Sequence, residues 1–215
     1  MTNKIIAVDL DGTLLNSESK LSDFTKETIK KISEKGHHVI ITTGRPYRMA
    51  KDFYRELELH TPMINFNGSL THLPGQAWAH EKCLTLDKKY LLDMVKRTED
   101  IQADFIAGEY RKKFYITTPN EEIADPKLFG VENFRPENQF KPERVTKDPN
   151  CILLQTRAED KYALADEMNR FYQHQLSINT WGGPLNILEC TPKGVNKAFA
   201  LEYLLNVMNR DKKDL

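Results

Sequence analysis

The sequence predicts a protein of the α/β class, with a parallel sheet and a second, α+β unit inserted into the chain. Short apolar segments at 5–8, 39–43 and 63–66 alternate with helical patterns, which is typical of parallel strands joined by helical crossovers. Further along, a helical pattern followed by two strand patterns occurs twice, on either side of an irregular stretch. We therefore expect two domains in one chain.

The first strand and helix are marked by local signals. The run 5–8 is continuously apolar with β-branched residues, which predicts a strand buried on both faces. Ser22 or Asp23 can cap the next helix, and Gly36 is suited to end it. The apolar stripe of this helix is predicted to include Phe24, Ile29 and Ile32.

Two more strands and a helix complete the first part of the chain. Residues 39–43 form the second predicted strand, and Pro46 suits the first turn of the helix that follows. The core face of that helix is predicted at Met49, Phe53 and Leu57. Residues 63–66 form a third short strand, which ends in Asn67-Gly68.

The middle of the chain has a different pattern. Asp87 is the predicted cap of a helix at 86–99, and five of the ten prolines fall between Pro119 and Pro149, which predicts a long irregular stretch. Two hairpins are predicted, with turns at Gly108-Glu109-Tyr110 and at Gly182-Gly183-Pro184. The remaining predicted elements are strands at 104–107, 113–118, 151–155, 176–181 and 185–190 and a helix at 160–172.

The domain boundaries follow from these patterns. We expect the first domain at 1–82 and 188–215, and the inserted domain at 83–187. The chain after Lys197 is predicted to form the last helix, whose apolar positions are Phe199, Leu204, Leu205 and Met208.

Composition excludes several classes of function. The 215 residues contain 31 Lys+Arg and 31 Asp+Glu, so no net basic field supports nucleic-acid binding. No apolar run is long enough for a membrane span, and no long apolar segment at the N-terminus suggests a signal peptide. The cysteines are Cys83, Cys151 and Cys190, an odd number without a CxxC pair, which favours the cytoplasm over an oxidising compartment.

Two carboxylates follow the first strand directly. Asp9 and Asp11 lie at the carboxyl end of the strand, where open parallel sheets bind ligands, and Gly12 then turns the chain away. Such a close pair needs a cation, or one member must hold a proton. This pattern suits one carboxylate as nucleophile and the other as general acid, with a divalent cation between them. An ordinary Asp-Gly turn is the alternative.

The segment Asp9-Leu10-Asp11-Gly12-Thr13-Leu14-Leu15 resembles the first motif of the haloacid dehalogenase (HAD) superfamily, and most closely that of its Cof-type phosphatases. The resemblance implies a Rossmann-like core with an inserted αββ-repeat cap, and hydrolysis of a small phosphorylated metabolite such as a sugar phosphate. It implies that Asp9 forms an aspartyl-phosphate, that Asp11 is the general acid and base, and that both bind magnesium.

Further positions match the family's other motifs. Thr43 matches the second motif, and Lys197, in Gly194-Val195-Asn196-Lys197, matches the third. Lys193 is a rival for the third position, and solvated loop lysines are the alternative for both. The resemblance also implies substrate contacts at Leu10, Gly12, Gly44, Arg45 and Asn67.

Some of these positions have simpler interpretations. Arg45 contacts the substrate phosphate or pairs with an acidic neighbour, and Asn67-Gly68 touches substrate, braces the hinge or is a plain turn. By resemblance to Cof-type caps, the two predicted hairpin turns face the catalytic cleft and select the substrate. Ordinary hairpin turns are an equal alternative.

The sequence does not contain the family's fourth motif. That motif is a Gly-Asp after a further strand, with a second acidic residue four positions later. Asp211 and Asp214 have the wrong spacing to replace it. We therefore expect a core truncated at its C-terminus, weak magnesium binding, low phosphatase activity, and self-association through the exposed edge of the strand at 5–8. The alternative function is an inactive remnant that binds phosphorylated ligands or needs a partner to complete its sheet. A nucleotide-binding module lacks support because no Walker or GxGxxG loop is present.

Overall fold

The computed structural model describes residues 3–215, so residues 1 and 2 of the predicted first domain lie outside the described residues. The chain divides into a first unit, which runs to Cys83 and resumes at Val195–Leu215, and a second unit, Leu84–Gly194. The second unit extends past the predicted boundary at 187 because the strand Ile187–Pro192 pairs with two other strands of that unit. That the first unit is a catalytic core and the second its cap stays a prediction.

The described residues form ten strands and five α-helices, besides six short 3₁₀ or π helices. In chain order they are β1 Ile5–Val8, α1 Asp23–Glu34, β2 His38–Ile41, α2 Tyr47–Glu56, β3 Met63–Asn65, β4 Leu70–His72, β5 Lys82–Cys83, α3 Lys88–Lys96, β6 Ala103–Glu109, β7 Phe114–Ile116, β8 Cys151–Thr156, α4 Lys161–Phe171, β9 Leu176–Thr180, β10 Ile187–Pro192 and α5 Lys197–Val207. Among residues 3–215, no helix combines the length and apolar character needed to cross a lipid bilayer.

The predicted parallel sheet is present in the first unit. β1 pairs in parallel with β2, and a parallel bridge between Thr42 and Ile64 continues the sheet into β3. β3, β4 and β5 then form an antiparallel ribbon. β1 pairs only with β2 among the described strands, and Ile5 is buried while the rest of β1 is partly exposed. The expectation of a strand buried on both faces is therefore wrong, whereas self-association through its edge stays a prediction.

Helices cover both faces of this sheet. Val39 and Ile41 of β2 pack with buried residues of α1 and α2, whereas Ile40 between them packs with buried residues of α5. This alternation follows from the two-residue period of a strand. Ser22 caps α1 by accepting a hydrogen bond from Thr25 N at 3.1 Å.

The predicted helical faces are correct only in part. On α1, Ile29 is buried, but Phe24 is 80% exposed because it lies on the outer side of the first turn. On α2, Ala50 and Tyr54 are the fully packed positions within the helix, whereas Phe53 is only partly buried. Spacing alone did not distinguish these adjacent faces.

The second unit is a five-stranded antiparallel sheet in the order β7-β6-β8-β10-β9, which matches the predicted pair of helix–strand–strand repeats. α3 and α4 pack on one face through a common core that includes Leu91, Met94, Leu164 and Met168. From the irregular stretch, Phe129 stacks on Phe114 of β7 with ring centroids 4.7 Å apart.

One of the two predicted hairpin turns is misplaced. Gly108 and Glu109 lie inside β6, and the chain turns after Tyr110 instead. This strand position requires a glycine because a Cβ there would come 2.6 Å from Leu91 Cδ2 of α3. The glycine permits close helix–sheet packing, and its presence was misinterpreted as a turn signal. The second predicted turn, at 182–184, does join β9 to β10.

Candidate active site

Asp9 lies where β1 ends and a wide turn over Leu10–Leu14 begins. Its Oδ1 accepts a hydrogen bond from Leu10 N at 2.7 Å, so the predicted phosphate-binding N–H of Leu10 is directed at this carboxylate. Gly12 has φ +69°, a left-handed conformation that glycine adopts without strain, and a Cβ there would meet nothing within 4 Å. The turn therefore keeps Asp9 and Asp11 at the end of the strand, and the space beside Gly12 is unoccupied by other described residues.

The two carboxylates are bound by different cations. Lys197 Nζ donates to Asp9 Oδ2, and both side chains are about one-third exposed, at 34% and 35%. Arg45 binds Asp11 with two hydrogen bonds, from Nε to Oδ2 at 2.9 Å and from Nη2 to Oδ1 at 2.5 Å. The sequence left two roles open for Arg45, contact with substrate phosphate and pairing with an acidic neighbour. The structure shows the pairing, with Asp11 as the neighbour.

Lys197 is the first residue of α5, and its position depends on the turn after β3. Asn196 caps the helix by accepting a hydrogen bond from Phe199 N at 2.9 Å. Gly68 has φ +113°, and a Cβ on it would overlap the Asn196 carbonyl. Only glycine allows these two backbones to approach so closely, and this contact helps to place Lys197 beside Asp9.

Thr43 and Gly44 connect β2 to α2 and contact the turn after β3. Thr43 is fully buried, and its Oγ1 accepts a hydrogen bond from Arg45 N at 3.1 Å. Asn67 N donates to the Thr43 carbonyl at 3.1 Å. A Cβ on Gly44 would come 3.1 Å from Asn67 Nδ2, so the amide side chain lies against this glycine. The predicted site positions of the first unit thus lie at one end of its parallel sheet, whereas Lys193 and the two predicted hairpin turns belong to the second unit.

Two buried residues of this region were not singled out from the sequence. Asn65 ends β3, His72 ends β4, and neither is exposed to solvent. The sequence feature that could have indicated them is a polar side chain at the end of a short strand whose other residues are buried. Because buried polar side chains need hydrogen-bond partners, such positions are candidates for a structural or functional role.

The groups that could hold a cation here are the Asp9 carboxylate and the main-chain carbonyl of Asp11, since Arg45 binds both carboxylate oxygens of Asp11. Within residues 3–215, no group of three or more His, Cys, Asp or Glu side chains is arranged to hold a metal ion. Magnesium differs from zinc in that it keeps several water ligands and uses one or two carboxylates together with substrate phosphate. The chemistry of Asp9 and Asp11 therefore fits part of a magnesium shell.

Comparison with known proteins identifies the family. A family model described as haloacid dehalogenase-like hydrolase matches residues 6–215. The chain belongs to the haloacid dehalogenase-like hydrolases. The resemblance inferred from Asp9 to Leu15 is thereby confirmed.

Two curated relatives are named as phosphatases, and a solved structure shares the fold. The chain is 30% identical over 205 residues to 5-amino-6-(5-phospho-D-ribitylamino)uracil phosphatase YitU of Bacillus subtilis (strain 168), covering 93% of this chain and 73% of the relative. It is 41% identical over 198 residues to the phosphatase YcsE of the same organism, named for the same substrate, covering 92% and 69%. The crystal structure of TM0651 from Thermotoga maritima superposes with a TM-score of 0.78 at 22% identity, covering 99% of this chain and 78% of the other.

The family assignment indicates the class of enzyme. By resemblance to these hydrolases and their phosphatase-named relatives, the chain is a phosphoric monoester hydrolase. The α/β core with an inserted unit, predicted from the sequence, is confirmed by the fold. The expected truncation stays a prediction.

Proposed function

We propose that this protein is a magnesium-dependent phosphatase that hydrolyses a small phosphorylated metabolite through an aspartyl-phosphate on Asp9. The observation that carries the proposal is the separate pairing of the two carboxylates, Asp9 with Lys197 and Asp11 with Arg45. Asp9 and Asp11 are two positions apart and are held by separate cations, so each can be oriented for a different step of one reaction. The family and the phosphatase-named relatives support this proposal.

In the first step, a carboxylate oxygen of Asp9 attacks phosphorus and the bond from phosphorus to the substrate oxygen breaks. The leaving oxygen takes a proton from Asp11. In the second step, a water molecule attacks the phosphorus of the aspartyl-phosphate and gives a proton to Asp11, which releases inorganic phosphate and restores Asp9. Asp11 thus acts first as acid and then as base.

Other residues of the site bind the phosphoryl group and orient the acids. Lys197 carries a positive charge at Asp9 Oδ2, where phosphoryl charge develops, so it stabilises the transition state. Leu10 N, at 2.7 Å from Asp9 Oδ1, fixes the orientation of the nucleophile. We assign Gly44 and Asn67 to the border of the phosphate site, and the buried Thr43 supports this border by accepting the hydrogen bond from Arg45 N.

The Asp9 carboxylate and the main-chain carbonyl of Asp11 would hold magnesium. When bound, the ion neutralises phosphoryl charge and so lowers the barrier to transfer. Because the described residues place no group of three or more metal-ligating side chains together, we expect these two ligands to bind magnesium weakly.

The relatives suggest a specific substrate. YitU and YcsE, at 30% and 41% identity, are both named for 5-amino-6-(5-phospho-D-ribitylamino)uracil. Its name describes a phosphate ester on a ribityl chain, which falls within the class of small phosphorylated metabolites proposed above. We propose it as the first substrate to test.

The test measures phosphate release from this substrate with magnesium and with EDTA, for the protein and for Asp9→Asn. Magnesium-dependent release that Asp9→Asn abolishes supports the proposal. Equal phosphate release by Asp9→Asn would overturn the role of Asp9 as nucleophile. Equal phosphate release in EDTA would overturn the magnesium dependence.

The second candidate function is a protein that binds phosphorylated ligands without turnover. The limited donor set beside Asp9 favours it. Beryllium fluoride, which mimics a phosphoryl group on aspartate, separates the two candidates. Magnesium-dependent trapping on Asp9 together with turnover supports the enzyme, whereas ligand binding without trapping or turnover supports the alternative.

A further inference from the structure

Asn65 and His72 form a buried hydrogen-bonded pair next to the catalytic residues. His72 Nε2 lies 2.9 Å from Asn65 Oδ1, and both residues have zero solvent exposure. On its other side, Asn65 Nδ2 donates to the main-chain carbonyl of Arg45 at 3.0 Å. A chain of hydrogen bonds therefore runs from β4 through β3 to the loop that follows β2.

The direction of this chain is determined by the chemistry of the amide. A carbonyl can only accept, so the group of Asn65 that faces Arg45 must be the NH₂ and the group that faces His72 must be the oxygen. His72 Nε2 must then carry a hydrogen. The ring of Tyr47 meets that of His72 edge to face, with centroids 4.8 Å apart, which holds the imidazole plane.

Arg45 receives support on both sides of its backbone. Its N–H donates to Thr43 Oγ1 at 3.1 Å, and its carbonyl accepts from Phe66 N at 3.3 Å as well as from Asn65. Its guanidinium also lies 5.5 Å from the centre of the Phe53 ring. The backbone of Arg45 is therefore fixed, and its side chain leaves this anchor to bind both oxygens of Asp11.

We propose that Asn65 and His72 are positioning residues that orient Arg45, and through Arg45 the carboxyl group of Asp11, for proton transfer. This inference rests on the proposed function, because it assigns a purpose to the orientation of the general acid. A two-oxygen contact by a planar guanidinium is sensitive to angle, so a small shift of the Arg45 backbone changes the geometry of Asp11.

A role limited to stability is a weaker explanation of this pair. Apolar side chains of similar size would fill the same space without the need for mutual hydrogen bonds, and such replacements are often neutral or stabilising. The polar pair instead defines a single orientation at the Arg45 carbonyl, which a hydrophobic contact cannot do.

The experiment compares His72→Leu with His72→Gln. The glutamine keeps an N–H donor for Asn65 Oδ1, whereas leucine removes it. We expect His72→Leu to lower kcat between about threefold and a hundredfold with little change in KM, the range seen when a catalytic group is displaced. We expect His72→Gln to restore most of the lost kcat.

A matched control and a double mutant test the specificity of the effect. Ser69 is buried in the same region, and its Oγ has no hydrogen-bond partner among the described residues, so Ser69→Ala should leave kcat unchanged. In an Arg45→Ala background, His72→Leu should cost no further activity, because the positioned group is gone. Equal additional losses in both backgrounds would overturn the inference.

A second readout separates this inference from the proposed function. In ¹⁵N-labelled protein, the Arg45 Nε–H reports its bond to Asp11, and we expect its signal to shift and exchange faster in His72→Leu but not in Ser69→Ala. An unchanged signal would reject the positioning role even if the protein is a phosphatase. A changed signal in a protein without phosphatase activity would retain the structural link but reject the proposed function.

Discussion

Asp9 and Lys197 are 188 positions apart in the sequence and form an ion pair at one end of the parallel sheet. The first residue of α5 therefore acts on the residue that follows β1. Gly68 allows this approach because only a residue without a Cβ fits against the Asn196 carbonyl.

The Asp9–Lys197 pair leads to the first prediction. Lys197→Ala should lower kcat by about 10²–10³-fold, because the cation that we propose to stabilise the phosphoryl group is lost. Since both side chains are about one-third exposed, the free energy of unfolding should change by less than about 1 kcal/mol. Steady-state kinetics and urea unfolding provide the two measurements.

Lys193→Ala is the matched control, since Lys193 was the rival in the sequence and lies in the second unit. It should retain kcat. If Lys193→Ala were the inactive variant and Lys197→Ala the active one, the assignment of the third motif would be reversed.

The second prediction concerns Asp11 as general acid. Asp11→Asn should lower kcat on an alkyl phosphate by about 10²–10⁴-fold. On p-nitrophenyl phosphate, whose leaving group departs without protonation at neutral pH, the loss in the phosphorylation step should be much smaller. Rapid-quench measurement of that step on both substrates tests this prediction, and equal losses would contradict it.

The third prediction tests the contact between Gly68 and Asn196. Gly68→Ala combines a left-handed φ of +113° with overlap of the Asn196 carbonyl. The strain and the overlap together should lower the free energy of unfolding by about 2–5 kcal/mol.

Gly75→Ala is the matched control, because Gly75 has φ +77° but nothing lies within 4 Å of its added Cβ. It should lower the free energy of unfolding by only about 1–2 kcal/mol. Denaturant unfolding of both variants measures the difference, and equal effects would show that the Asn196 contact contributes nothing.

The fourth prediction concerns Lys161, a buried lysine in the second unit. Its Nζ donates to the carbonyls of Trp181, Gly183 and Leu185 at 2.9, 3.0 and 2.8 Å, so one ammonium group holds the β9–β10 turn. Lys161→Met should lower the free energy of unfolding by about 2 kcal/mol or more, because bonds to a charged donor are lost.

Limited proteolysis should also find new cleavage at 181–186 in Lys161→Met. Lys96→Met, at an exposed position on α3, is the control and should change neither measurement. A turn that remains protected without Lys161 would contradict the prediction.

The fifth prediction concerns the three thiols. Burial, with a contribution from the neighbouring Glu189 and Glu109 carboxylates, raises the pKa of the Cys151 thiol well above its ordinary value, and burial raises the pKa of Cys190. Cys83 is exposed. Because the thiolate is the reactive form, a thiol reagent at pH 8 should modify one cysteine in the native protein and three in denaturant.

Cys83→Ser should remove the fast reaction in the native protein. Rapid modification of two or more thiols before unfolding would show that the β8 and β10 cysteines are accessible.

Much of the fold could be predicted because its signals are local. Ser22, one of two cap candidates for α1, and Asp87, the predicted cap of α3, both accept hydrogen bonds from the first turns of their helices. The apolar run of β1 followed by Asp9 and Asp11 likewise indicated a strand with a ligand-binding end. Side-chain preferences within a few residues are sufficient for such features.

The failures have a common physical cause. Phe24 fits a helical stripe by spacing, yet it is 80% exposed. Gly108 has the composition of a turn, but it lies in a strand where the Leu91 side chain leaves no room for a Cβ. Whether a position is covered, or must stay small, depends on residues far away in the sequence.

The sequence by itself determined the α/β class, the acidic pair after β1 and, through its motifs, the family. Only the tertiary structure decided that Arg45 binds Asp11 and that Asn65 and His72 anchor Arg45. These partners are separated by tens of residues, and the same side chains could pair with other neighbours in a different packing. Hydrogen-bond direction and distance become defined only when folding brings the strands together.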